Sequence, residues 1–135
     1  MDVLKSMLVA ASGMRAQSER MRLIAENIAN ATSYGHTPGA EPEYRRQIPL
    51  FSQEVDRALG IDSVKVSDVF HAETGTRYIP GHPAADAQGN VKTPGVETLV
   101  EMMDLREAQR SYEANVSVID NTRSMAQRTI DLLRA

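Results

Sequence analysis

The sequence predicts a mainly α fold, in which two long terminal helices form a coiled-coil-like hairpin with a small irregular or β middle segment. Two observations carry that expectation. All six Pro (Pro38, Pro42, Pro49, Pro80, Pro83, Pro94) and seven of the eight Gly fall between Gly35 and Gly95, and only Gly13 lies outside. Pro and Gly punctuate helices, because one lacks the amide donor and the other lacks a side chain to restrict it. On both flanks, by contrast, apolar residues recur every seven positions. The chain therefore divides into residues 1–34 and 96–135, a terminal helix each, and a broken middle at 35–95.

The first helix is expected over about Asp2 to Ala31. Asp2 is a plausible N-cap, since its carboxylate can accept from the orphan amides of the first turn. Met7, Met14, Met21 and Ile28 form one seven-residue row. Leu4, Ala11, Ser18 and Ala25 accompany it three residues earlier. Such a seam is the geometry for one helix lying along another. Small side chains in the second row let a partner come close. Arg15–Glu19 and Arg22–Glu26 sit one turn apart and support the helix.

The middle holds three short extended candidates. Ser63–Phe70 opens with Val64 and Val66 between polar neighbours. Gly75–Pro80 and Asn90–Pro94 are bounded by breakers. Asp86-Ala87-Gln88-Gly89 has the chemistry of a turn, with Asp able to bond nearby amides and Gly free to take positive φ.

The second helix is expected from about Val96 to Leu133. Leu105, Tyr112, Ile119, Ala126 and Leu133 make its seven-residue row, flanked by Val118, Met125 and Leu132. The row three residues on, Ala108, Asn115, Thr122 and Thr129, is small or polar. Glu97, Glu101, Asp104 and Glu107 come early and Arg123, Arg128 and Arg134 late, an order that complements the helix dipole. Stripes along helices of about 30–38 residues, about 45–55 Å at 1.5 Å per residue, outrun what the middle segment can cover. The plainer alternative is an ordinary two-helix core within one molecule; against it, a lone antiparallel pair would leave its outer faces wet, so partner helices are the economical answer. The expected contact residues are Leu4, Met7, Ala11, Met14, Met21, Asn27, Ile28 and Asn30 on the first helix. On the second they are Leu105, Tyr112, Asn115, Ile119, Met125 and Leu133. Asn27, Asn30 and Asn115 can fix register by bonding across helices, as a buried Asn does in coiled coils. In the plainer alternative Asn30 ends its helix and Asn115 is exposed.

Composition bounds the function. Aromatics make up 4% of 135 residues, Trp is absent, and seven Met supply much of the bulk. A chain this small with few large side chains builds a modest core, and Met suits surfaces that must fit several neighbours. A net charge of −3 leaves no basic footprint for nucleic acid. With no Cys there is no thiolate nucleophile and no Cys-ligated metal. Met7–Ala11, the longest apolar run near the start, is too short for a membrane span or a signal-peptide core. An exported destination would use another route.

No catalytic constellation appears, and no cofactor or metal is expected. His36, His71 and His82 match no metal-binding spacing, and Pro83 makes a helical site of His82 with Asp86 unfavourable. The carboxylates lie mostly on the helices, there is no G-x-S-x-G elbow, and the glycines are scattered rather than gathered into a phosphate loop. The first helix sets Lys5, Arg15, Arg20 and Arg22 against Asp2, Glu19 and Glu26, too balanced for a membrane-surface helix. A monomeric helical hairpin that binds client helices, an adaptor or chaperone, is the rival to a polymerising subunit; an enzyme is more distant.

Certain residues carry a family resemblance. Ser12-Gly13-Met14-Arg15-Ala16-Gln17 and Ala25-Glu26-Asn27-Ile28-Ala29-Asn30-Ala31-Thr32 resemble the N-terminal signature shared by flagellar axial rod, hook and hook-associated proteins. His82 to Val96 resembles a stretch special to one branch, the flagellar basal-body rod protein C family. Arg110-Ser111-Tyr112-Glu113-Ala114-Asn115-Val116 and the closing Thr129-Ile130-Asp131-Leu132-Leu133 are similar to the C-terminal helix motif. The likeness covers nearly the whole chain. It departs after the first helix, where Thr32-Ser33-Tyr34-Gly35-His36 replaces the commoner Thr or Ser followed by Gly-Tyr or Gly-Phe.

The resemblance implies a structural subunit of the proximal rod, not an enzyme. It implies export by the flagellar type III apparatus without a cleavable signal peptide, and assembly in the periplasm into a torque-transmitting shaft. Implied partners are copies of itself, other rod proteins and the protein joining rod to membrane ring. Nucleic acid, small-molecule substrate and direct membrane insertion are not implied.

Overall fold

The computed structural model describes residues 3–134. The element order is α1 (Val3–Ala29), β1 (Gln47–Asp56), β2 (Ile61–His71), β3 (Gly75–Tyr78), β4 (Asn90–Thr93) and α2 (Thr98–Arg134). Two helices of 27 and 37 residues enclose the β-containing middle in sequence, which is the mainly α fold read from the breakers and heptads. Asp2, the expected cap, lies outside the described residues. α1 stops two residues earlier than expected. The amide of Asn30 still reaches Glu26 O, but that of Ala31 turns back to Ile28 O and that of Ser33 to Asn30 O. β2, β3 and β4 fall on the three extended candidates. β1 is an additional strand, and it contains Pro49.

The chain forms two compact units, each drawing on both helices and on the middle. The first takes residues 1–21, 50–68 and 107–135. Here the helix segments run antiparallel: Arg20 Nη2 stands 3.7 Å from Glu107 Oε2, and seven residues back Gly13 meets Asn115. A Cβ on Gly13 would come within 2.8 Å of Asn115 Nδ2, so only a residue without one permits this approach unadjusted. Ala10, Ala16 and Ala108 are buried in the same unit. The β1–β2 hairpin segment is fastened to α1 by Ser12, whose hydroxyl donates to Val9 O (2.7 Å) and accepts from Val64 N (3.2 Å). Its turn is closed by Asp56 Oδ1, which accepts from Ala58 N and Leu59 N.

The second unit takes residues 22–49 and 69–106. Its core is Leu23, Ile24, Ala84 and Val91. β3 and β4 pair antiparallel in the register Gly75↔Thr93, Thr76↔Lys92, Arg77↔Val91, Tyr78↔Asn90. The Asp86–Gly89 turn forms as its residues suggest. Asp86 Oδ1 accepts from Gln88 N and Asn90 N, and Gly89 adopts φ 84°.

Candidate assembly surface

The polar centre of the second unit is a clasp around two buried side chains, Asn27 and Glu101, each 1% exposed. Asn27 uses its whole amide. Nδ2 donates to Gln47 O (2.9 Å) and to Glu101 Oε2 (3.0 Å), while Oδ1 accepts from Gln47 N (2.8 Å) and Tyr44 Oη (2.7 Å). Arg46 Nε donates to the other carboxylate oxygen, Glu101 Oε1, at 2.5 Å, and Arg46 Nη2 lies 3.7 Å from Asp104 Oδ2. A carboxylate taken out of water is tolerated only when its lone pairs are satisfied, and here both oxygens are. Burial raises the Tyr44 pKa above its ordinary 10.0; the charges of Glu26 and Glu101 add to the rise and Arg22 offsets part of it. The clasp holds the backbone at Gln47 against the end of α1 and the start of α2.

The predicted contact residues fall into three environments. Asn27 is buried within the chain, and its amide does bond across to α2. Met7, Ala11, Met14, Met21, Ile28 and Asn30 on α1, with Leu105, Tyr112, Asn115 and Ile119 on α2, are half-buried. Asn30 Nδ2 donates to Glu26 O at 2.8 Å, the helix-ending role. Leu4, Met125 and Leu133 stand in the open, 61%, 63% and 83% exposed. The α2 row therefore presents its middle turns to the chain's own interior and its last turns to solvent; every residue from Gln127 to Arg134 is exposed.

Two surfaces were missed by the heptad reading. Leu50, Phe51, Val55 and Leu59 are exposed on the hairpin segment of the first unit. Leu99, Val100, Met102 and Met103 are exposed on the first turns of α2 in the second unit. Neither follows a seven-residue period; four large apolar residues within five positions of α2, interrupted only by Glu101, were the available signal. The clasp was missed as well, because Glu101 reads as one more dipole-complementing acid until Arg46, 55 residues away, is placed beside it.

The histidines separate. His36 Nε2 lies 3.1 Å from Glu43 Oε1 at the surface, while His82 Nδ1 accepts from Ala84 N and its ring meets Tyr34 edge-on at 5.1 Å. Among the described residues no three His, Asp or Glu side chains gather as a metal site requires, and no helix is long and apolar enough to cross a membrane.

Comparison with known proteins gives a consistent result. The family described as flagellar basal body rod FlgEFG protein C-terminal matches residues 87–132. The chain is 50% identical over 129 residues to the flagellar basal-body rod protein FlgC of Agrobacterium fabrum, covering 94% of this chain and 92% of that protein. It is 38% identical over 126 residues to FlgC of Escherichia coli O157:H7, covering 92% of each. FlgC of Aquifex aeolicus is 32% identical over 142 residues, with 97% of each covered.

Proposed function

Because this chain belongs to the flagellar basal-body rod protein FlgC family, a family of structural rod subunits, we propose that it polymerises through its terminal helices into the proximal rod and so transmits torque. The observation that carries the reading is the unspent apolar seam. After the helices have paired within the chain, Leu4, Met125 and Leu133 remain in water, and the row Met7, Met14, Met21, Ile28 remains half open. Large apolar residues left exposed along a continuous stripe mark a surface for another protein. Met is suited to it, because an unbranched thioether adapts to non-identical neighbours.

On this reading residues 1–34 and 96–135 form the inner wall of a tube and residues 35–95 lie outside it. Half-buried Ala11, Leu105, Tyr112, Asn115 and Ile119 serve both the helix pair and the neighbouring subunit, and Ile28 and Asn30 contact it near the end of α1. Asn27 acts from within, by fixing the register of the surface above it. The neighbours are further copies, other rod proteins and the protein that joins the rod to the membrane ring. The chain reaches the periplasm through the flagellar type III apparatus and carries out no catalysis.

The test is deletion of the gene in its host, followed by a swimming assay and electron microscopy of purified basal bodies. Non-motile cells whose membrane rings lack a completed rod, restored by the intact gene, are expected. Normal rods and swimming, with no second copy to compensate, would sink the proposal.

A further inference from the structure

Among the described residues, α1 ends short of the last turns of α2. In the first unit Arg20 faces Glu107 and Gly13 faces Asn115, so each step back along α1 is a step forward along α2. Continued at the same rate, the register sets Val3, the first residue of α1, opposite Met125. The remaining turns to Arg134 extend beyond, about 13 Å at 1.5 Å per residue. They keep the amphipathic spacing to the tip: Ala126, Ile130 and Leu133 at i, i+4 and i+7, with Leu132 alongside. Ile130, Leu132 and Leu133 are 47%, 78% and 83% exposed. Arg128 and Arg134 flank them and carry no ion pair among the described residues.

The same unit has a matching receptor. Two adjoining clefts open between α1 and the β1–β2 hairpin, sharing Val9 and Asp62. The larger, about 490 Å³, adds Ile61 and Val118, and Lys5 also lines it. The smaller, about 340 Å³, is lined by Phe51 and Val64 and by no cation, so Asp62 gives its rim a negative charge. Asp62 has no ion pair among the described residues. An apolar slot with an acidic rim complements an apolar helix tip with two arginines.

The tip cannot fill its own chain's slot. Val118 lines the larger cleft, which adjoins the smaller, and Leu132 is fourteen residues further along one rigid helix, about 21 Å away. We propose that the C-terminal tip of α2, through Leu132, Leu133 and Arg134, docks into the Phe51–Asp62–Val64 cleft of a second copy of this chain. The inference rests on the rod reading, in which copies adjoin, and it names their contact. The contact is heterologous: each copy offers one tip and one cleft and leaves one of each free for the next.

The chain's lack of cysteine makes the test direct. Two differently tagged versions, Ser63→Cys and Leu133→Cys, are expressed together in a host lacking the natural gene, and isolated basal bodies are oxidised. A disulfide-linked species carrying both tags is expected, in clear excess over a control pair of Gln109→Cys with Leu133→Cys. Arg134→Asp should abolish the cross-link, and adding Asp62→Arg should restore it. Should Leu133→Cys not assemble, Leu132→Cys probes the same tip. Cross-linking no greater than the control, or linkage of the tip to a different protein, in rods that otherwise form normally, would overturn the contact while leaving the rod reading intact. Rods that form in the host before either version is supplied would instead remove the rod reading.

Discussion

At the scale of residues, the clasp around Asn27 separates a structural amide from a decorative one. Asn27→Ala leaves Gln47 N, Tyr44 Oη and one oxygen of a buried carboxylate without a partner. Unmet buried groups cost about 1–3 kcal/mol each, with charged ones at the upper end. Asn27→Ala is therefore expected to lower unfolding stability by about 3 kcal/mol, where Asn30→Ala, whose side chain serves only Glu26 O, costs under about 1 kcal/mol. Urea unfolding monitored by circular dichroism compares the two. Equal effects would show that the clasp adds nothing to the fold. Tyr44 adds a pH signature. Its folded pKa lies above the ordinary 10.0, mainly through burial, so the neutral phenol is the form the fold favours. Stability from this group is fully present below pH 10 and falls as pH rises towards and through the folded value. Tyr44→Phe is expected to flatten that alkaline decline relative to the parent chain, measured as the unfolding midpoint between neutral pH and pH 11. An unchanged slope would place Tyr44 in water.

At the scale of elements, the approach of α1 and α2 in the first unit is set by the Gly13–Asn115 pair. Gly within a helix costs about 1 kcal/mol relative to Ala, and here it leaves room for the Asn115 amide. Gly13→Ala in the parent chain should change stability little, since the propensity gain is spent displacing Asn115. In an Asn115→Ala background the obstacle is gone, and Gly13→Ala should stabilise by up to about 1 kcal/mol. A thermal double-mutant cycle reads the difference; strict additivity would mean that the two side chains do not meet. The same helices were largely legible in sequence. Heptad rows and breaker positions located both to within two residues at the ends that the structure describes, because helical periodicity is a local signal repeated many times. β1 was hidden by Pro49. Proline reads as a breaker, yet in a two-stranded sheet every strand is an edge and can hold one. The clasp was hidden for another reason: Asn27, Arg46 and Glu101 are unremarkable in their own windows and acquire meaning only by meeting across 74 residues.

For the molecule as a whole, burial is too sparse to finish the fold alone. Among the described residues the buried apolar side chains of the first unit are all alanines. Burying a methyl contributes far less than the ~1.5–3 kcal/mol of a fully buried Leu or Phe, and the larger apolar side chains of this unit, Met7, Met14, Tyr112 and Ile119 among them, are only half-buried; on the proposed reading, assembly covers the rest. Dilute protein is accordingly expected to show much less helix by circular dichroism than the two helices amount to, with helix rising as the concentration permits association. A concentration-independent, fully helical and sharply melting monomer would count against coupled folding and in favour of a stand-alone hairpin. Both compact units also have an itinerary in common: each needs a stretch from the start of the chain, one from the middle and one from α2. Ser12 must wait for Val64, and Asn27 for Glu101. Contacts so distant along the chain close slowly, since the intervening loop has to be gathered first. A ribosome emitting this polypeptide thus releases no finished unit before α2 begins to emerge: the second unit needs α2 as far as Arg106, and the first needs the turns that follow. Until those turns emerge the nascent protein stays open and threadable, and the clock for folding starts with α2 rather than with α1.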